Sequence, residues 1–351
     1  MSRRWICTPF RAASDIVSRF VLRRLISTCL LLVGVILMTF ALARMLPGDP
    51  ARLIAGGRAS PAAVAAVRDT LGLDAPVTTQ FARYIGQLAQ GEFGRSIVSR
   101  RPIADDILTY VPATLELVAY AAILSLLGGM ALGTLAAANS KTTADVAVRG
   151  VAVVGLSVPD FWLALIFQLV FFASLGLLPF GGRLDVGMTP PDYVTGFLTL
   201  DSLLAGRLDL LVQTLRHLIL PVCVLAIPSM AITIRVVRTT LLDVLTQDYI
   251  RTARAKGIAP WRVYVHHALG NAMLPVITIF GLNLGLMISG AVFIELIFDW
   301  PGLGRYTANA IAGSDYNAIM AITLVVALSY TVINFLVDLS YAFFDPRVNL
   351  R

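Results

Sequence analysis

The chain has 351 residues, of which 57% are hydrophobic and 14% charged. Soluble domains run at roughly half and roughly a quarter, so a soluble fold of this size has nowhere to hide so much apolar surface. The net charge of +7 raises nucleic acid as a partner, but the placement of the charge explains it without one.

Six apolar runs are predicted to cross a membrane as helices: residues 22–43, 112–137, 150–174, 218–237, 275–296 and 318–343. Each lies near the roughly 20 residues that span a hydrocarbon core. Helices satisfy their own backbone polar groups there, which gives an all-α integral membrane protein. Arg3, Arg4, Arg11, Arg19, Arg23 and Arg24 stand at or before the start of the first run. Lys141 and Arg149 lie between the second and third, Arg235, Arg238, Arg251, Arg254, Lys256 and Arg262 follow the fourth, and Arg347 and Arg351 close the chain. Few acids accompany them, whereas acids balance the bases in the alternate loops. The positive-inside asymmetry therefore places both termini in the cytoplasm.

Residues 1–21 form a basic tail, with Ile16, Phe20 and Val21 hinting at a short surface helix on lipid. Ala41-Leu42-Ala43 imitates a signal-peptide cleavage site, but the apolar run before it exceeds the usual 7–15 residues, so an uncleaved span is expected. Cys7, Cys29 and Cys223 fall in the tail and in spans and make no disulfide framework.

Residues 44–111 are too long for a turn and too polar for lipid, which calls for a structured extracytoplasmic segment. Ser60-Pro61 reads as an N-cap and first turn, with Val64, Val67 and Leu71 at helical spacing and Gly72 as terminator. A second helix puts Phe81, Tyr84, Ile85 and Leu88 on one stripe and stops at Gly91. This segment rests on the outer mouth as a scaffold and has room to dock an external protein. Arg58 and Asp201 are expected to face the outside, and Lys256 the inside.

Gly129 and Gly133 in the second span, and Gly281 and Gly285 in the fifth, are small residues four apart that let helices approach closely. In the third span, Ser157-Val158-Pro159-Asp160 contains a proline that removes a backbone hydrogen bond and clashes with the preceding turn, so a kink or unwinding is predicted. Ser157, Pro159, Asp160 and Asn283 are candidates for a translocation path, with a buried packing kink as the alternative. Glu116, Glu295 and Asp338 lie near span ends, where capping or pairing with arginine also accounts for them.

Between the fourth and fifth spans, residues 238–274 form a cytoplasmic loop. It reads Asp248-Tyr249-Ile250-Arg251-Thr252-Ala253-Arg254-Ala255-Lys256-Gly257, then Pro260-Trp261-Arg262, then His267-Ala268-Leu269 to Asn271. A short helix, a glycine break and a second basic helix form a shape that hands force to a soluble partner. Ala253 and Ala255 keep the first helix slim for close approach, and Arg254, Lys256 and Arg262 are placed to meet acids.

This segment resembles the EAA loop of ABC importer permeases, and its wording is similar to the oligopeptide/dipeptide/nickel branch. Arg251 stands where that motif has its glutamate and Thr252 where it has its first alanine, as the branch commonly reads. Pro47-Gly48-Asp49-Pro50, Leu71-Gly72-Leu73-Asp74, Gly94-Arg95-Ser96, Ala113-Thr114-Leu115-Glu116-Leu117, Ser157-Val158-Pro159-Asp160-Phe161-Trp162, His217-Leu218-Ile219-Leu220-Pro221, Trp300-Pro301-Gly302-Leu303-Gly304 and Asp345-Pro346-Arg347 carry the resemblance from about Phe20 to Arg351. It implies a type I ABC importer fold and a permease subunit moving di- or oligopeptides, with nickel, glutathione or sugars as alternatives. It implies a homologous second permease, one or two cytoplasmic ABC ATPase subunits that bind ATP and Mg, and an extracytoplasmic solute-binding protein. No cofactor or catalytic residue belongs to this chain on that reading. Coupling falls to Asp248, Tyr249, Arg251, Thr252, Ala253, Arg254, Ala255, Lys256, Gly257, Trp261, Arg262, His267 and Asn271.

Enzyme classes fail on composition of motifs. The two lysines, Lys141 and Lys256, have no phosphate-loop context, His266 and His267 are adjacent rather than one turn apart, and no Gly-x-Ser-x-Gly elbow occurs. A self-sufficient secondary transporter remains as a second class, but the six unequal runs carry no clear internal repeat.

Overall fold

The computed structural model describes residues 22, 26–41, 50–55, 59–70 and 72–344. The tail at 1–21, Pro47-Gly48-Asp49, Arg58, Leu71 and the segment 345–351 lie outside the described residues. Among the described residues the chain is helical, with one isolated antiparallel bridge, Arg95 to Pro102, in place of any strand.

An apolar helix α1 (Ile26–Ala41) is followed by three short helices, α2 (Pro50–Ala55), α3 (Pro61–Thr70) and α4 (Val77–Ala89). The Ser60 hydroxyl accepts from the Ala63 N–H at 3.3 Å, and Gly72 and Gly91 take positive φ at +61° and +77° just past the ends of α3 and α4. Glycine bears that left-handed conformation without the β-carbon penalty. Phe40 is buried against Phe81 and Tyr84, with ring centroids 5.2 and 5.8 Å away, which seats α4 on the end of α1.

Four helices are long and apolar enough to cross a membrane: α5 (Ile103–Ala138), α9 (Leu208–Val244), the continuous helix Pro260–Ile297, and Tyr316–Ser340 within α14 (Tyr316–Phe344). A fifth crossing is made if the bent pair α6 (Thr143–Ser157) and α7 (Asp160–Phe167), which continues as a π-helical segment Gln168–Ser174, counts as one span. The helix axis bends by 106° between the two arms of that pair, so the run 150–174 is no single straight helix. The hydropathy limits also understate helix length. α5 has 36 residues, and at 1.5 Å per residue extends about 54 Å, well past a hydrocarbon core of about 30 Å. The helix is thus longer than one crossing needs, and its first turn carries Asp105 and Asp106.

The core lies where α5 and α9 pack along their length. Ala113, Leu117, Val118 and Ala121 meet Leu218, Leu220, Val224 and Leu225, with Met287, Ile288, Ala291 and Ile294 closing the third side. Small residues set the spacing: a β-carbon on Gly133 would stand 2.7 Å from Val237 Cβ and 2.9 Å from the Ile234 carbonyl oxygen. Gly281 and Gly285 similarly admit Val337 and Tyr330 of α14.

Beyond the core, α8 (Leu198–Leu204) and α13 (Leu303–Ala312) are pinned by buried carboxylates. Glu116 is fully buried, pairs with Arg183, and accepts from the Thr199 N–H at 2.8 Å at the start of α8. Glu295 is also fully buried, receives the Thr114 hydroxyl, and accepts from the Gly304 N–H at 2.6 Å at the start of α13. An acceptor at a helix N-terminus satisfies orphan N–H donors and meets the positive end of the dipole. Trp300, with no exposure, donates its indole N–H to the Ala113 carbonyl at 2.9 Å. Tyr306 donates to Asp106 at 3.0 Å, and burial, followed by that carboxylate, raises its hydroxyl above the ordinary pKa. Asp201, expected on an outer surface, is 1% exposed and accepts from the Thr195 N–H at 2.8 Å and the Gly196 N–H at 3.0 Å. An aspartate here folds the local turn rather than facing solvent.

Candidate coupling surface and translocation path

α9 ends at Val244, and a short turn leads to α10 (Asp248–Ala255). The spacing of α10 settles what faces inward. Ile250 is fully buried in one cluster with Val237 and Leu241 of α9 and Val263, Ala268 and Ala272 beyond the glycine, and Ala253, three residues on and on the same face, is 7% exposed. Ala253 thus belongs to the packing beneath the surface, while Ala255 is exposed.

Asp248, Tyr249, Arg251, Thr252, Arg254, Ala255 and Lys256 all point outward. Arg251 lies 3.3 Å from Asp248 in an exposed pair, and the Thr252 hydroxyl donates to the Asp248 carbonyl at 3.0 Å. Gly257 then takes φ +73°, with its N–H on the Arg254 carbonyl at 2.9 Å and the Ile258 N–H on the Ala253 carbonyl at 3.3 Å. A β-carbon at Gly257 would meet nothing within 4 Å, so the demand for glycine is conformational, not steric.

Past the turn, α11 (Pro260–Arg262) starts with proline in its first turn, where a missing N–H costs nothing. It runs through a π-helical segment, Val263–Leu269, into α12 (Gly270–Ile297) without a break. The expected second loop helix is therefore the first part of the continuous helix Pro260–Ile297 itself, and Pro275 lies inside the helix instead of opening it. Trp261 is 62% exposed, with the Arg262 guanidinium 5.3 Å from its ring. His267 stacks edge-on to His266 at 5.4 Å, and the Asn271 side-chain amide donates to the His267 carbonyl at 2.7 Å, supporting the wide π turn. The outward face joins an aromatic set, Tyr249 and Trp261, to Arg251, Arg254, Lys256 and Arg262, with Asp248 the one acid between residues 248 and 271. Exposed aromatics beside cations are the composition that anchors protein partners.

The path candidates do not converge on one point. Ser157 ends α6 with its hydroxyl on the Val153 carbonyl at 2.8 Å, and Pro159, at φ −62° and ψ 138°, starts α7. Asp160 follows it and faces α12, where a β-carbon on Gly290 would stand 3.8 Å from its Oδ2. Asn283 lies seven residues earlier on the same face of α12, about 10 Å away, buried, and its side-chain nitrogen has no partner among the described residues. Among the described residues no His, Cys, Asp or Glu cluster fits a metal ion.

Glu116 pairs with arginine and Glu295 caps a helix, as their places near span ends allow, but the partners are not legible in the sequence. The Glu116–Arg183 pair links positions 67 apart and Thr114–Glu295 positions 181 apart, and a single sequence holds no signal for either beyond the motifs that contain them. Asp145 and Arg238, read as loop charges, form a close pair below the core.

Residues 129–350 match the family of binding-protein-dependent transport system inner membrane components, and residues 17–118 match the N-terminal part of such membrane components. The probable D,D-dipeptide transport system permease DdpB of Escherichia coli K12 is 44% identical over 91% of this chain and 94% of its own length. The di/tripeptide transport system permease DppB of Pseudomonas aeruginosa is 41% identical over 94% and 98%. The glutathione transport system permease GsiC of Salmonella paratyphi A is 36% identical over 95% and 99%. An inward-facing MetNI methionine ABC transporter has the same fold at TM-score 0.51 and 13% identity, over 66% of this chain and 93% of that one. This chain belongs to the family of binding-protein-dependent transport system inner membrane components, the permease subunits of ABC importers.

Proposed function

We propose that this chain is the permease that carries small peptides, of two to a few residues, across the bacterial inner membrane after a solute-binding protein delivers them. The observation that carries the coupling part of this reading is the exposed basic and aromatic face at 248–271, anchored by Ile250, which is buried with Val237 and Leu241 of α9 and with Val263 and Ala268 of the π-helical segment. The names of the relatives, at 38–44% identity, support dipeptides as the substrate class. Glutathione, itself a tripeptide, is the second reading, on the GsiC relative.

In this account the chain crosses the membrane six times, with α1 as the first crossing and both termini cytoplasmic. It pairs with a homologous second permease, and one or two ATPase subunits bind ATP and Mg. Closure of the ATPase pair pushes on α10 and the π segment, and the helices switch between inward- and outward-facing states. The path runs by the bend at Pro159, with Asp160 and Asn283 facing it. Selection rests mainly with the binding protein. The test is ATPase activity of the purified assembly with its binding protein and candidate ligands. Stimulation by dipeptides supports the reading, stimulation by glutathione alone moves the substrate, and activity independent of any binding protein removes the importer account.

A further inference from the structure

Asp145 is the third residue of α6 and is 1% exposed. Its two carboxylate oxygens take a two-pronged fork from Arg238 of α9, Nε to Oδ1 at 2.6 Å and the terminal nitrogen to Oδ2 at 2.8 Å. The Lys141 N–H adds a third donor to Oδ2 at 3.1 Å, and Arg149 stands 3.3 Å from Oδ1. A planar fork on a carboxylate fixes direction as well as distance, which a lysine does not.

The position of this fork is what matters. Arg238 follows Val237, and Val237 and Leu241 share one buried cluster with Ile250 of α10 and with Val263 and Ala268 of the π-helical segment, which packs against both α9 and α10. On the other side, α6 lies along α9 through Ala152, Ala231 and Ile234, with Gly155 close to Ile227, and ends at the 106° bend that starts α7 and Asp160. The fork thus sits between the coupling face and the bent span.

We infer that Asp145 and Arg238 are positioning residues that make α6 move as one body with the coupling face, so that displacement of α10 arrives at the Pro159 bend. This rests on the proposed function. Without the fork, α9 still receives the push, but α6 slides on its apolar seam and the bend is left behind.

The experiment uses the full assembly with its ATPases in lipid. Asp145→Asn and Arg238→Lys are compared with the parent for peptide moved per ATP hydrolysed. Both variants are expected to retain ATPase association and basal hydrolysis, while peptide per ATP falls at least about fivefold, the lower end of ordinary coupling between sites. Spin labels at Val146, 57% exposed on α6, and at exposed Lys256 supply a readout that needs nucleotide and no peptide. The parent distance is expected to stay fixed between nucleotide-free and ATP-bound states, and to shift or broaden with ATP in Asp145→Asn. A parent distance that shifts with ATP as much as the variant's, or unchanged peptide per ATP in Arg238→Lys, overturns the inference. If the parent assembly lacks peptide-stimulated hydrolysis, the substrate reading fails, and the nucleotide-driven distance still decides the role of the fork.

Discussion

Asp315 Oδ2 accepts the Ser96 hydroxyl at 2.6 Å, joining residues 219 positions apart, and the same oxygen takes the Ile97 N–H at 2.7 Å and the Val98 N–H at 3.2 Å. With Oδ1 on the Ala318 N–H at 3.1 Å, a single fully buried carboxylate ties the strand-like segment before α5 to the start of α14. Removing it leaves buried donors unsatisfied, each at a cost of about 1–3 kcal/mol. Asp315→Ala is therefore expected to lower stability by about 3 kcal/mol and to expose residues 93–102 to protease in membrane vesicles. Unchanged protease resistance contradicts this.

Arg183 bonds Glu116 and also donates to the Gly196 carbonyl at 3.1 Å, with its side chain only 10% exposed. Truncating one partner of a buried pair costs about 3–5 kcal/mol, because a buried charge is left without compensation. Arg183→Ala should lower the thermal midpoint of the purified chain clearly, and Glu116→Gln with Arg183→Met should lose less than Arg183→Ala alone. A melting curve identical to the parent's for Arg183→Ala would show that the pair does not hold α8.

Orientation is tested with single cysteines in a variant whose Cys7, Cys29 and Cys223 are replaced by serine. Val186 is fully exposed in the loop between the bent span and α8, and Lys256 is exposed beyond α10. An impermeant thiol reagent should label Val186→Cys in intact cells and Lys256→Cys only after the membrane is opened. Asp201→Cys is a poor probe, because its carboxylate is buried in the turn it organises.

What was legible in the sequence is what local chemistry dictates. Pro159 fixes its own φ and denies a hydrogen bond, and the helix breaks there; Ser60, Gly72, Gly91 and Gly257 bound their helices for equally local reasons. The glycine pairs foretold close helix contacts because a β-carbon there would collide with side chains of the neighbouring helix, Thr233 and Val237 in one case and Val337 and Tyr330 in the other. Illegible were the ties whose partners lie far apart in the chain: Asp145 with Arg238, Glu116 with Arg183, Asp315 with Ser96. Their burial is set by tertiary packing, so a charge in a polar stretch reads as solvated until the fold brings its partner. Ala253 misled for a smaller reason. Small size suits a partner-facing surface and an inward face alike, and only the three-residue step from Ile250 decides between them. Helix continuity from Pro260 into α12 was hidden because Pro275 resembles a start signal, while the π segment ahead of it keeps the helix intact.

Asp160, at the start of α7 and facing Gly290, tests where selection resides. Asp160→Asn is expected to slow uptake severalfold while leaving the order of preferred peptides unchanged in competition assays. A changed order, with the same binding protein, would place a specificity site in this chain.

The central claim is that residues 248–271 transmit the work of the ATPase, and the turn at Gly257 is where a single substitution tests it best. At φ +73°, an alanine costs about 1 kcal/mol and a β-branched residue more, with no clash to confuse the result. The decisive measurement is peptide-stimulated ATPase activity and peptide uptake in proteoliposomes holding the complete assembly with Gly257→Val. The account predicts a chain that inserts normally, with weakened ATPase association or uptake abolished, and Gly257→Ala in between. Stimulation and uptake at the parent's level in Gly257→Val would contradict it.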